Sequence, residues 1–159
     1  MINKTDIKHL ERCLELAKDA LHIGDEPFGS ILVSASGDVL KEDHNRVSGG
    51  DHTQHPEFAI ARWAAENMTP LERRQATVYT SGEHCPMCAA AHGWVGLGRI
   101  VYASSSAQLA EWLQEMGVPA SRVRNLPIQE VIRDIEVDGP VPRLAEQVWQ
   151  LHRQLHERK

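Results

Sequence analysis

The chain has 159 residues, 42% of them apolar, with 17 basic and 22 acidic side chains and a formal net charge of −5. That length and apolar share predict one globular domain over residues 1–159 with material for a real core, and exclude a disordered chain. The acidic balance disfavours nucleic acid as a partner, because proteins that live on phosphate contacts carry basic faces. No apolar run reaches the ~18 to 20 residues of a membrane span, so no membrane partner is expected. Met1-Ile2-Asn3-Lys4 lacks the apolar stretch of a signal peptide. Three cysteines, two of them three positions apart, suit a metal better than a disulfide framework. A cytoplasmic location follows as the expectation.

Along the chain, Ile7, Leu10, Leu14, Ala17 and Leu21 recur at helical spacing and predict an opening amphipathic helix, with Cys13 as a small core residue beside the stripe. Residues 28–34 and 39–47 read as two strands joined by a turn at Ser36-Gly37-Asp38, followed by a polar, glycine-containing rim over 48–54. Helical patterning returns over 56–67, a strand over 77–80, an alanine-rich helix over 86–97 and a strand over 99–103. Residues 107–116 predict a helix closed by Gly117 and Pro119, 135–137 a last strand, and 143–157 a charged helix with Leu144, Val148, Leu151 and Leu155 on one stripe. The order of elements predicts a hairpin, then parallel strands laid down by crossovers, in one sheet layered with helices.

Two clusters carry the chemistry: His55-Pro56-Glu57 and Cys85-Pro86-Met87-Cys88. Each proline fits the first position of a helix, where its missing N–H is not needed, which places His55 and Cys85 at helix caps. The helix–strand–helix unit between them brings both amino termini to one end of the sheet. One imidazole and two thiolates form a set that suits tetrahedral Zn²⁺, one ion per chain, and the helix start favours the thiolate of Cys85. A closed structural site wants four protein ligands; three leave a position for water, whose pKa such a metal lowers to roughly 7. Glu57, close by and not needed as a ligand, is placed to move protons.

These paired segments resemble the cytidine deaminase superfamily of zinc-dependent base deaminases. Pro27-Phe28-Gly29, Asn45 and Arg99-Ile100-Val101-Tyr102 are similar to its guanine deaminase and tRNA adenosine deaminase branch, over about residues 7–102. The resemblance implies a three-layer α/β/α fold around a mixed sheet of about five strands. It also implies zinc on His55, Cys85 and Cys88, a proton shuttle at Glu57, and a homodimer. Asn45 would hydrogen-bond the ring edge, Phe28 would line the pocket, and Trp94 sits where guanine deaminases carry an aromatic. The implied reaction is hydrolytic release of ammonia from an amino-bearing nucleobase or nucleoside, guanine or a related amino-purine first. Cytosine-type or other amino-heterocycles, adenosine in tRNA and a purely structural zinc module are the alternatives.

Three departures bear on the substrate. Pro56 stands where relatives commonly place a small residue whose N–H points at the substrate. His84 stands where the family often has proline before the first cysteine, either as a polar group at the substrate or as a solvent-facing or hydrogen-bonded turn residue. The acidic pair of guanine deaminases is absent from Ser104-Ser105-Ser106-Ala107. Glu83 is expected to cap backbone N–H groups at the start of the second motif's helix. His92 reads as a satisfied helix histidine or a group bracing the metal ligands. The last four residues, His156-Glu157-Arg158-Lys159, read as a solvated end, and the resemblance offers the final helix as a lid over the site.

Overall fold

The computed structural model describes residues 1–158. Helix α1 (Lys4–Ile23) starts at Asn3, whose side chain accepts from the Asp6 N–H while the Asp6 carboxylate accepts from the Asn3 N–H, satisfying two otherwise orphaned donors. It stops at Gly24, which adopts φ +111°, a conformation costly for any other residue. Strands β1 (Gly29–Val33) and β2 (Val39–His44) form the expected hairpin. Helices α2 (Pro56–Asn67) and α4 (Pro86–Val95), strands β3 (Thr77–Gly82) and β4 (Ile100–Ser104), α5 (Ser106–Glu115), the two-residue β5 (Val137–Asp138) and α6 (Pro142–Glu157) complete the predicted set.

One further helix, α3 (Pro70–Gln75), lies between α2 and β3. Its signal was present in the sequence: Thr69 and Glu72 cap each other's backbone, with Pro70 at the first helical position. It buries no side chain, so no apolar stripe announced it. Strand β2 ends at His44 rather than Val47, because Asn45 turns the chain and Val47–Gly49 forms a 3₁₀ turn.

The strand order is β2-β1-β3-β4-β5. β1 pairs antiparallel with both β2 and β3, while β3, β4 and β5 run parallel. The crossover through α2 therefore passes over β1 before β3 is laid down. Helices α2 and α4 cover one face, with Ile60 and Ala64 of α2 in one cluster with Leu32 of β1 and Val78 of β3. Helices α1 and α6 cover the other with Leu10, Leu14, Val101, Leu144 and Val148. Helix α5 leans on α6 through stacked Trp112 and Trp149, ring centroids 5.3 Å apart. Helix α6 is thus packed as a layer of the fold. Its Leu144 and Val148 are wholly buried, each side chain contributing about 1.5–3 kcal/mol of transfer free energy.

A part-buried ion network centred on the buried Asp6 stitches the sheet to α1. The Arg99 guanidinium donates to both Asp6 oxygens at 3.0 and 3.1 Å and to Asp138 Oδ2 at 2.8 Å, and Tyr79 Oη donates to Asp6 at 2.6 Å. Burial alone would raise the Asp6 carboxyl, but bonds from Arg99, Tyr79 and the Asn3 N–H outweigh it and hold it at about 2. No described helix is long and apolar enough to cross a membrane.

Candidate active site

The parallel strands β3 and β4 end at one edge, where loops open onto the amino termini of the following helices. His55 is the cap of α2 and Cys85 the cap of α4, each followed by proline at the first helical position. A residue before proline is driven to extended backbone, and both obey: His55 at φ −94°, ψ 143° and Cys85 at φ −70°, ψ 167°. Cys88 lies one turn into α4 and is fully buried. The His55 Nδ1 atom is 3.6 Å from Cys85 Sγ and 3.5 Å from Cys88 Sγ, and all three ligand atoms lie within 4.8 Å of one another.

These spacings test the metal directly. Zinc–nitrogen and zinc–sulfur bonds of roughly 2.0–2.1 and 2.3 Å at a tetrahedral angle place nitrogen and sulfur about 3.6 Å apart. The observed separations match, so the residues present fit zinc. Hydrogen bonding to Cys88 and His55 holds the Cys85 thiol down at about 4 despite burial, while the same bond to Cys85, together with burial, pushes the Cys88 thiol up.

Glu57, on the first turn of α2, is 5% exposed. Burial pushes its carboxyl up to about 7, against the opposing charge of His55. Ser30 Oγ lies 3.2 Å from Glu57 Oε1 and 2.8 Å from Thr80 Oγ1, which itself donates to the Gly82 carbonyl. With one hydroxyl proton to share, Ser30 leaves Glu57 able to exist with or without its own proton.

Asn45 is 1% exposed; its Oδ1 accepts from the Val47 N–H, and its Nδ2 has no partner among the described residues. An orphaned buried amide donor is costly unless another molecule meets it. Asn45 N donates to the Phe28 carbonyl, so the two residues sit side by side. The Phe28 ring lies edge-on to His152 of α6 at 5.1 Å, and Gly82 leaves room for it: a Cβ there would meet the ring at 3.2 Å. Pro56 is buried at the start of α2.

His84 corrects the turn-residue reading. It is 1% exposed, edge-on to His92 at 5.3 Å, with both ring nitrogens unpartnered among the described residues, and burial pushes it well below the usual histidine value. His92 is the satisfied helix histidine, its Nε2 2.7 Å from the Gly98 carbonyl. Trp94 is not brought to the cluster within one chain. It is 90% exposed, nine positions beyond Cys85 and so about 13 Å along the α4 axis, beside a surface cavity lined by Ala90, Gly93, Val131 and Ile132.

Glu83 also departs from its expected role. Its Oε1 accepts from the Ser106 N–H and hydroxyl at 2.9 and 3.0 Å, and its Oε2 from the Ile128 N–H at 2.9 Å. It ties the turn carrying Cys85 to α5 and to the segment over α4, rather than capping α4. Sequence spacing gave no sign of partners 23 and 45 positions away.

A mixed sheet with helices on both faces, a histidine and two cysteines converging on zinc geometry and a buried glutamate beside them define a zinc-dependent deaminase domain, a hydrolase acting on C–N bonds. The chain belongs to the family of the cytidine and deoxycytidylate deaminase zinc-binding region, whose model matches residues 3–104. It is 32% identical over 116 residues to a probable cytosine deaminase of Schizosaccharomyces pombe, covering 73% of this chain and 70% of that protein. Over 103 residues it is 29% identical to guanine deaminase of Bacillus subtilis, covering 64% of this chain and 66% of that protein. The structure of guanine deaminase from Nitrosomonas europaea superposes with a TM-score of 0.71 over 99% of this chain and 86% of that one, at 20% identity, a likeness of fold.

Proposed function

We propose that this chain releases ammonia hydrolytically from an amino-bearing nucleobase or nucleoside, with guanine or a related amino-purine as the leading substrate. The observation that carries the reading is the His55–Cys85–Cys88 cluster, at spacings of zinc coordination, with the buried carboxyl of Glu57 beside it. When bound, zinc supplies Lewis-acid activation of water for attack on the ring carbon. His55, Cys85 and Cys88 hold the ion, and the three-ligand count favours a catalytic over a structural role.

Glu57 takes one proton of the attacking water on a carboxylate oxygen and delivers it to the ring nitrogen. It then takes the remaining proton of the hydroxyl added to the ring carbon and delivers it to the departing amine, which leaves as ammonia while the carbonyl forms. Ser30 holds Oε1 in place during the exchange. Asn45 Nδ2 donates to the ring edge, and Phe28, braced by His152, forms an apolar wall. The buried Pro56 removes a backbone donor from the α2 side, so recognition falls to side chains. His84 adds a neutral polar group behind the cysteine turn.

The net charge of −5 favours a small molecule over an RNA substrate. A homodimer is part of the proposal: the exposed indole of Trp94 beside an apolar cavity on α4 suits a partner subunit, which is also where Trp94 finds a role. Three unbridged cysteines suit a reducing, cytoplasmic setting.

The test is an ammonia-release screen of zinc-loaded protein across amino-purines, amino-pyrimidines, pterins and triazines. Glu57→Gln is expected to keep one zinc per chain and to lose about 10²–10⁴-fold in kcat. Activity surviving in that variant sinks the proton shuttle.

A further inference from the structure

Two buried hydroxyls stand on the face of the sheet that α2 covers. Ser30 of β1 and Thr80 of β3 are direct partners across the antiparallel pair, as are Leu32 and Val78 two residues away. Side chains alternate along a strand, so all four share one face, and Leu32 and Val78 pack there with Ile60 of α2. Ser30 and Thr80 are wholly buried. A hydroxyl in such a place costs free energy that a methyl group would not, unless it is bonded.

Their bonds form a chain with one open choice. Thr80 Oγ1 donates to the Gly82 carbonyl at 2.9 Å, which uses its single proton and leaves it an acceptor. Ser30 Oγ also has one proton and faces two acceptors, Thr80 Oγ1 at 2.8 Å and Glu57 Oε1 at 3.2 Å. The shorter contact gives Thr80 the stronger claim on it. With that proton turned to Thr80, Ser30 presents a lone pair to Glu57. A proton on Oε1 then completes a run in which every donor points the same way, from Glu57 to Ser30, to Thr80, to the Gly82 carbonyl. Without the Thr80 hydroxyl, the Ser30 proton has only the carboxylate to bond. A donor held there favours the ion and opposes uptake of a proton from water.

We infer that Thr80 is a positioning residue for the proton shuttle: it holds the Ser30 hydroxyl turned away from Glu57, so that the carboxylate meets a lone pair while it collects its proton. The inference rests on the deaminase reading and deepens it. Thr80 acts through Ser30 alone, which separates this role from a merely structural one.

The experiment measures kcat and KM per bound zinc for wild type, Thr80→Val, Thr80→Ser, Ser30→Ala and the double variant Ser30→Ala with Thr80→Val. Each is run on every amino-heterocycle that wild type deaminates. Valine keeps the shape of threonine without its hydroxyl. Thr80→Val is expected to lose about 5- to 50-fold in kcat, the order of one hydrogen bond, with KM unchanged. Thr80→Ser, which keeps the hydroxyl, should recover most of that loss. On the Ser30→Ala background, Thr80→Val should lower kcat no further, because the path to Glu57 is already cut. If Thr80→Val yields no folded protein, Thr80→Cys, whose thiol bonds only weakly, takes its place and the same comparisons decide. Full kcat in Thr80→Val, a loss as large without the Ser30 hydroxyl as with it, or a loss confined to KM overturns the inference and leaves the deaminase reading standing. No ammonia from any heterocycle with wild type brings down both.

Discussion

Residues 3–104, which match the family, and residues 105–158, which follow them, are built on different principles. The first region fixes its chemistry with short local devices: a capped helix, a hairpin, and two proline-opened helices whose caps are the metal ligands. The second contributes no metal ligand, yet supplies half of one face of the sheet through α6 and covers α4 with a long, mostly irregular segment anchored by Ile128. Chemistry and stability are thus unevenly divided along one chain. The half that carries the metal ligands packs its sheet against a tail that supplies none of them.

The sharpest way to break that comparison is to empty the α6 layer. Leu144→Ala is expected to destabilise the whole protein by about 2–5 kcal/mol, read as one cooperative transition in denaturant. If instead only the carboxyl-terminal third melts early while residues 3–104 stay protected, the two regions are energetically separable.

A smaller effect is expected at the joint between them. Glu83→Ala strips the acceptor from the Ser106 and Ile128 N–H groups and should cost about 1–3 kcal/mol, with faster hydrogen exchange at Ile128. Exchange there unchanged from wild type shows that the segment over α4 is held by its apolar contacts alone.

The smallest effect is on acid stability. The Asp6 carboxyl is held at about 2, below its ordinary value, so it stabilises the folded state above the unfolded-state pKa near 4. That contribution, on the order of 1–2 kcal/mol, is lost as pH falls from about 4 toward 2. Asp6→Asn should flatten the pH dependence of stability in that window and leave its form at neutral pH unchanged. A slope identical to wild type means that the Arg99 network is not what acid breaks.

The site was legible where one residue type forces one local geometry. His-Pro and Cys-Pro announce helix caps, and a Cys-x-x-Cys on a helix start announces a ligand pair. The helices of 56–67 and 86–97 were placed nearly to the residue for that reason. Tertiary facts were not legible. Nothing in the spacing says that β1 lies between β2 and β3, because a crossover of that length clears one strand or two. Local spacing points Glu83 to a cap because nearby N–H groups are the only partners a sequence displays; its real ones are Ser106, just after β4, and Ile128, in the segment over α4. His84 was read as a turn residue because turns are usually wet, whereas here α4 and His92 enclose it. Helix α3 shows no apolar stripe because it buries nothing, and its only sequence mark is the Thr69–Glu72 cap with Pro70.

The prolines that open α2 and α4 have a consequence for how the protein handles its ion. They stiffen the backbone at both anchoring points, so capture of the metal demands little reorganisation of the chain. A zinc finger, by contrast, gains its folded shape only on coordination. Here a chelator should silence the catalyst while circular dichroism and the melting profile stay close to native, and re-addition should restore turnover without a refolding lag.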